Sequence, residues 1–342
     1  MRRLAAVLAS LALILVAGCG EKDESAPGGG KTQKFNIILD YFPNADHAGI
    51  YAAQAAGDYA RAGLDVEVKP PPDPSAPLKL LQSGQADVVI SYEPELLLAR
   101  DKGANLVSVG ALVQKPLTTL MSLKDIASPQ DLAGKRVGTA GLPYQSAYLQ
   151  TILRNAGVDP TTVKETNVGF NLVPAMLSDK VDATLGAFWN YEGEDLKRRG
   201  RHPKVLRMEK LGVPTYDELI VVARRKDLDE NFSSKLRRFL RATASGHERL
   251  RADPEIGVGA LLKVDPGLER GLQTAVVSAT LPVFFPADKA KPFGWQQPAE
   301  WDAYGRWMYA NKLLKRQPDA SSALTNEFLP GQGLDPGTSA AP

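Results

Sequence analysis

Three short stretches of this chain combine flat side chains with carboxylates and amides at places where apolar runs stop. They read Asp40-Tyr41-Phe42-Pro43-Asn44, Tyr92-Glu93-Pro94-Glu95 and Phe188-Trp189-Asn190-Tyr191-Glu192, and none contains Lys or Arg. A planar ring held against an aromatic face gains roughly 1–3 kcal/mol per face, by analogy with bases on aromatic side chains. A carboxylate accepting from a ring amine adds about 1.5–3 kcal/mol. Two faces and one or two such bonds reach the roughly 8 kcal/mol of micromolar binding. A phosphate, sulfonate or nitrate would need cations or a glycine-rich cradle at a helix start, so the pattern disfavours a strongly anionic ligand. It suits a flat ring bearing amino groups, held without covalent chemistry. The candidate binding residues are Asp40, Tyr41, Asn44, Tyr92, Glu93, Trp189, Asn190, Tyr191 and Glu192.

A fourth stretch, Gly138 to Ser146, is a glycine-rich turn from strand to helix and adds Gly141 and Tyr144 to the candidates. Its amides could donate to a ligand carbonyl or formyl oxygen. It lacks the lysine that follows the glycines of a phosphate-binding loop. Ser146 is expected to cap the following helix, and Asp46 to cap or favour the dipole of the helix that starts near His47. Of the three histidines, His47, His202 and His247, only His47 lies near the acids, too few nitrogen or sulfur ligands for a transition metal. No Gly-x-Ser-x-Gly elbow, His-Glu-x-x-His or Cys/His pairing is present. Neither a metal, nor a cofactor, nor an enzymatic nucleophile is expected.

The elements that must position these residues alternate. Apolar or strictly alternating runs at 35–40, 64–68, 87–91, 106–112 and 117–123 are separated by helical patterns at 47–62, 76–82 and 95–102. After Ser128-Pro129-Gln130-Asp131, a good helix start, a second series runs through 136–139, 146–156, 163–167, 171–178 and 182–186. Past 219–224 the chain turns mainly helical. This rhythm predicts an α/β protein with parallel sheets and covering helices. LKLLQSGQADVVISYEPELL and VPAMLSDKVDATLGAFWNYEGEDL echo one another: helix, tight turn, Asp (87 or 182), short apolar strand, then aromatic and Glu. Two related βα lobes with a ligand cleft between them follow, since ligands sit beyond the carboxyl ends of strands and at domain interfaces. The expected division is 35–122 with 220–329 for a discontinuous first lobe and 123–219 for the second.

The N-terminus carries Met1-Arg2-Arg3, an apolar run from Leu4 to Ala17 and Gly18-Cys19, which reads as an export signal over residues 1–18. The run is shorter than the ~20 residues of a membrane-spanning helix. Cys19 is the only cysteine, so no internal disulfide can form. Residues 19–34 are polar and Gly-rich, suited to a flexible tether, and 330–342 to a disordered tail. Removing Arg2 and Arg3 with the leader leaves 39 basic against 39 acidic residues, without the basic excess of a nucleic-acid binder. The basic run Lys197-Arg198-Arg199-Gly200-Arg201 reads most simply as a solvated helix end, with contact to a membrane permease as the alternative.

Leu39-Asp40-Tyr41-Phe42-Pro43-Asn44 with Asp46-His47-Ala48-Gly49-Ile50-Tyr51, then "PPDPSAPLKLL", "ISYEPELLLAR", "PAEWDAYGRWMYANKLL" and "TNEFLP", resemble the ThiY-type substrate-binding lipoproteins of ABC importers over about residues 35–330. Val16-Ala17-Gly18-Cys19 resembles a bacterial lipobox. The resemblance implies a periplasmic-binding-protein type II fold and capture of a thiamine pyrimidine precursor of the formylaminopyrimidine type. It also implies delivery to ABC permease and ATPase subunits by a monomer anchored to the cell envelope through lipid on Cys19. Ring-stacking and amine-reading places fall by position on Asp40, Tyr41, Tyr92, Trp189, Tyr191 and Glu192. Another flat heterocycle such as riboflavin is the alternative cargo. Related fungal pyrimidine synthases carry a lysine, a histidine and a cysteine cluster where this chain has Ser91, Glu95 and Val213-Pro214-Thr215-Tyr216-Asp217. That departure disfavours the enzyme reading.

Overall fold

A computed structural model describes residues 32–332. Ten strands form two five-stranded sheets: β1 Gln33–Ile38, β2 Leu64–Lys69, β3 Val88–Ser91, β4 Leu106–Val113, β5 Thr118–Ser122, β6 Arg136–Thr139, β7 Lys164–Asn167, β8 Ala183–Phe188, β9 Lys204–Arg207 and β10 Leu219–Arg224. The first sheet has the order β2-β1-β3-β10-β4 and the second β7-β6-β8-β5-β9. In the first, β1 runs parallel to β2 and β3 while β10 is antiparallel to both its neighbours. In the second, β6 runs parallel to β7 and β8 while β5 is antiparallel to both its neighbours. The two sheets therefore repeat one topology, with β3 matching β8.

The sequence echo has a physical cause in that match. Asp87 donates its backbone N–H to Asn36 O at 2.9 Å and accepts from Asn36 N at 2.7 Å through its carboxylate. Asp182 repeats the latch on Arg136, with N–H to O at 2.8 Å and carboxylate to N at 2.8 Å. Each aspartate fixes the register between the start of a strand and its parallel neighbour. Asp182 also holds the Arg136 guanidinium at 2.9 and 3.0 Å and pairs with Lys124. These donors pull its carboxyl below the usual range. Asp182→Asn is expected to destabilise the protein by roughly 1–3 kcal/mol at pH 7, as a buried charged hydrogen bond is lost. Because the folded-state pKa is depressed well below the usual range, that difference is fully present above the ordinary aspartate pKa of about 4 and is lost progressively as pH falls from there through the folded-state value. Urea melts at pH 7 and at a descending series of pH values below about 4 check both statements, the gap between the two proteins narrowing step by step.

The antiparallel strands are the ones that cross between sheets. The chain leaves β4 of the first sheet and enters β5 of the second across residues 114–117, then returns to β10 after β9. The second sheet thus begins with β5, not at residue 123 as the sequence suggested: the antiparallel partner of β8 is supplied by the incoming crossover. The tether is likewise shorter than expected, since Gln33 and Lys34 already pair with Leu64 and Asp65. Expectations for Cys19, the export signal and residues 333–342 lie outside the described residues.

The helical region 47–62 is two helices, Ala48–Ala55 and Asp58–Arg61, parted by Gly57 at φ +75°. Asn44 rather than Asp46 starts it, accepting from Asp46 N at 2.8 Å. Ser146 caps nothing: the helix Pro143–Asn155 starts three residues earlier, and the Ser146 hydroxyl donates to Glu165. Four long C-terminal helices, Glu230–Ala252, Pro254–Val264, Arg270–Phe284 and Pro298–Ala310, and the short helix Ala320–Ala323 complete the described residues. Glu230–Ala252 crosses Ala48–Ala55 where Gly246 faces Gly49, close enough that a Cβ on Gly246 would sit 2.1 Å from the Gly49 carbonyl oxygen. That approach seats the helix that follows the first stretch against the core.

Candidate functional site

The ends of β1, β3, β6 and β8 surround a hollow between the two sheets with about 510 Å3 of atom-free space, part of it open to solvent. The first lobe supplies Asp40, Tyr41, Asn44, Asp46, Pro74 and Tyr92. The second supplies Ala140, Leu142, Tyr144, Gln145, Phe170, Leu172, Gly186, Phe188, Tyr191 and Glu192. Residues distant in sequence, Tyr41 and Glu192 among them, share this wall, and no lysine or arginine is on it.

Tyr41 reaches across the cleft. Its hydroxyl donates to Phe170 O at 3.1 Å, and its ring meets Phe170 edge-on at 4.6 Å and Tyr191 at 6.3 Å with 66° between planes. Burial and the nearby Glu192 carboxylate push the Tyr41 hydroxyl far above its ordinary pKa, so it stays neutral. The Tyr191 hydroxyl is raised to about 12, by burial first and then Glu192. Opposite them, Tyr92 and Tyr144 pack at 5.9 Å on the inner wall.

The acids divide by what already occupies them. Asp40 accepts from His47 Nε2 and from the Tyr92 hydroxyl, both at 2.8 Å, so its two oxygens are engaged and it orients Tyr92. Glu192 accepts from Phe188 N at 2.7 Å through Oε2. Its pKa rises to about 7, mainly by burial, with the Phe188 amide opposing and Asp46 reinforcing. Asp46 rises to about 6, again mainly by burial. Its Oδ1 accepts from Asn190 Nδ2 at 2.6 Å and from the Thr280 hydroxyl at 3.2 Å, a bond from the second lobe and one from the C-terminal helices. Asn190 is therefore a brace between lobes.

Several candidates lie elsewhere. Glu93 is fully buried at the crossover, accepting from Asp217 N at 2.8 Å, and does not reach the hollow. Trp189 turns away from it, its Nε1–H donating to Pro116 O at 3.0 Å and its ring covered by the Arg207 guanidinium at 4.0 Å. Asn190 stands behind the wall, not on it. Gly141, at φ +83°, faces an outer groove with Lys79, Glu95 and Lys102, and Asn167 occupies the place its Cβ would take. Its neighbours Ala140 and Leu142 line the hollow instead.

Asp46, Gln145, Phe170 and Gly186 were absent from the sequence candidates. Gln145 accepts from Ala140 N at 2.8 Å, and its Nε2 lies 2.4 Å from where a Cβ on Gly186 would be. Gly186 at φ +123° inside a strand is the one signal that could have been read, because a strand glycine often marks a close approach. Among the described residues, no group of three or more His, Cys, Asp or Glu is arranged to hold a metal ion.

The NMT1/THI5 like family profile matches residues 44–256. The chain is 32% identical to the formylaminopyrimidine-binding protein of Halalkalibacterium halodurans over 92% of its own length and 97% of that protein's. It is 28% identical to the 4-amino-5-hydroxymethyl-2-methylpyrimidine phosphate synthase of Legionella pneumophila, covering 87% of this chain and 92% of that one. Among solved structures, the alkanesulfonate-binding protein SsuA of Xanthomonas axonopodis pv. citri superposes with a TM-score of 0.65 at 19% identity, over 86% of this chain and 99% of that one. Two lobes of repeated topology around an aromatic and acidic hollow thus accompany a sequence match spanning most of the chain, and the protein belongs to the NMT1/THI5 like family.

Proposed function

We propose that this protein is the substrate-binding component of an ABC importer and captures a thiamine pyrimidine precursor of the formylaminopyrimidine type. The observation that carries the reading is the hollow itself: Tyr41, Tyr92, Tyr144 and Tyr191 offer π faces, Asp46 and Glu192 offer acceptors, and no cation lines the wall. Such a wall favours a ring with amino donors and opposes a sulfonate. The relative from Halalkalibacterium, named for formylaminopyrimidine, supports the same cargo. Closure of the two lobes about the crossovers would enclose the ring, and the closed form would present it to the permease.

Isothermal titration with formylaminopyrimidine tests the reading. Saturable binding at one site, accompanied by a raised melting temperature, is expected. Absence of heat with any aminopyrimidine counts against it, and displacement by riboflavin would shift the assignment to a broader heterocycle receptor.

The synthase reading draws on the Legionella relative. In this chain Ser91 Oγ donates to Glu95 Oε2 at 2.7 Å in a buried pair, where the resemblance places reactive groups in the synthases. Pyridoxal phosphate added to the protein would give a lysine aldimine absorbance band if that reading held.

Among the described residues no helix is long and apolar enough to cross a membrane. Attachment is proposed to rest on lipid at Cys19. Cys19→Ser is expected to release the protein from the membrane fraction without altering ligand affinity, as fractionation and titration would show.

A further inference from the structure

Asp46 is 2% exposed, yet its Oδ2 receives no hydrogen bond from the described residues; the Asn190 and Thr280 bonds both end on Oδ1. Glu192 is comparable: Phe188 N–H occupies Oε2, and no other residue donates to Oε1. Both side chains line the hollow, whereas the third acid there, Asp40, is saturated by His47 and Tyr92. His47 faces Asp40 and lies beside Asp46; Asp195, Tyr41 and Tyr191 face Glu192. The wall therefore holds two carboxylates, each with acceptor capacity that the protein leaves unused, and no free cation to balance them. Burying carboxylates in this way is costly unless a positive partner arrives.

From this arrangement we infer that the hollow binds its ligand as a cation, an amidinium-type N–C–N unit such as a protonated aminopyrimidine, with Glu192 and Asp46 both ionised in the complex. The inference rests on the aminopyrimidine reading and adds the charge state. Its proton balance is explicit. Above about pH 8 the ligand is neutral and both acids are ionised, so complex formation takes one proton from solvent, which ends on the ring nitrogen beside the exocyclic amine. Nearer neutrality Glu192 already carries part of that proton and passes it to the ring. A ligand bound neutral against ionised acids would take up none.

Calorimetry of formylaminopyrimidine binding at pH 8.5, in two buffers with different heats of ionisation, counts the proton. Uptake close to one per ligand is expected, with Kd weakening about tenfold from pH 8 to pH 9. Benzamidine and benzamide then locate it, the first a flat cation throughout this range and the second its neutral isostere. Benzamidine should bind at least tenfold more tightly, and Asp46→Asn or Glu192→Gln should reduce that preference. Failure of benzamidine to bind, equal or better binding of benzamide, or formylaminopyrimidine binding without proton uptake would each overturn the inference. In the last case the receptor reading survives. If benzamidine keeps its advantage while no pyrimidine binds, the receptor's cargo is wrong and the cation preference stands.

Discussion

Glu192→Gln is expected to weaken aminopyrimidine binding by one to two orders of magnitude while making the empty protein more stable at pH 8. Losing a charged hydrogen bond of about 1.5–3 kcal/mol accounts for the first effect. The second follows from the sign of the pKa shift. Burial raises the Glu192 carboxyl from an ordinary 4.5 to about 7, so folding favours its protonated form. Stability contributed by that preference is complete below about pH 4.5 and is lost as pH rises toward 7. At 1.36 kcal/mol per unit, the cost above pH 7 is on the order of 3 kcal/mol, which glutamine avoids while still accepting from Phe188 N–H. Thermal melts of both proteins in the absence of ligand should coincide near pH 4.5 and diverge by several degrees at pH 8, with the variant higher. A wild-type protein that melts higher at pH 8 would show that the carboxylate has a partner other than ligand. The acid is thus kept for binding at the expense of the empty fold.

Gly246→Ala is expected to produce a large loss of stability. The new Cβ would stand 2.1 Å from the Gly49 carbonyl oxygen and 2.7 Å from the backbone and Cβ of Ala53, none of which belongs to a flexible side-chain end. Helices Glu230–Ala252 and Ala48–Ala55 must then separate, and overpacking of this kind costs about 3 kcal/mol. Circular dichroism should register a melting temperature lower by roughly 5 °C. Gly259→Ala, in the helix Pro254–Val264 with open space at its Cβ, supplies the control and should be neutral or stabilising by up to about 1 kcal/mol. Similar melts for the two variants would mean that the helix crossing is loose.

The alternating βα pattern made the two-lobed architecture legible, because buried parallel strands are short apolar runs and their covering helices carry a different period. The Asp87 and Asp182 echo was legible for a reason the sequence could not display: both side chains latch the backbone at the start of a neighbouring strand. Less legible was which residue at a strand end faces the ligand. Phe188, Tyr191 and Glu192 line the hollow while Trp189 and Asn190, between them, turn to the crossover and to the opposite lobe. Composition marks such a junction as chemical, but direction depends on the turn that follows. Ala140, Gly141 and Leu142 divide in the same way. Asp46 looked like a helix cap since it precedes a helix, but Asn44 fills that place and leaves the aspartate free to face the cleft. Phe170 reaches the hollow only through the folding of the second lobe, and nothing in its neighbouring residues marks it.

A crystal structure of the protein with formylaminopyrimidine tests the central claim most directly. The ring is expected inside the hollow, between the Tyr41–Tyr191 pair on one side and the Tyr92–Tyr144 wall on the other, with its amino nitrogen about 3 Å from a Glu192 oxygen. A ring seated instead in the outer groove by Lys79 and Lys102, with Glu192 touching only protein, would contradict it.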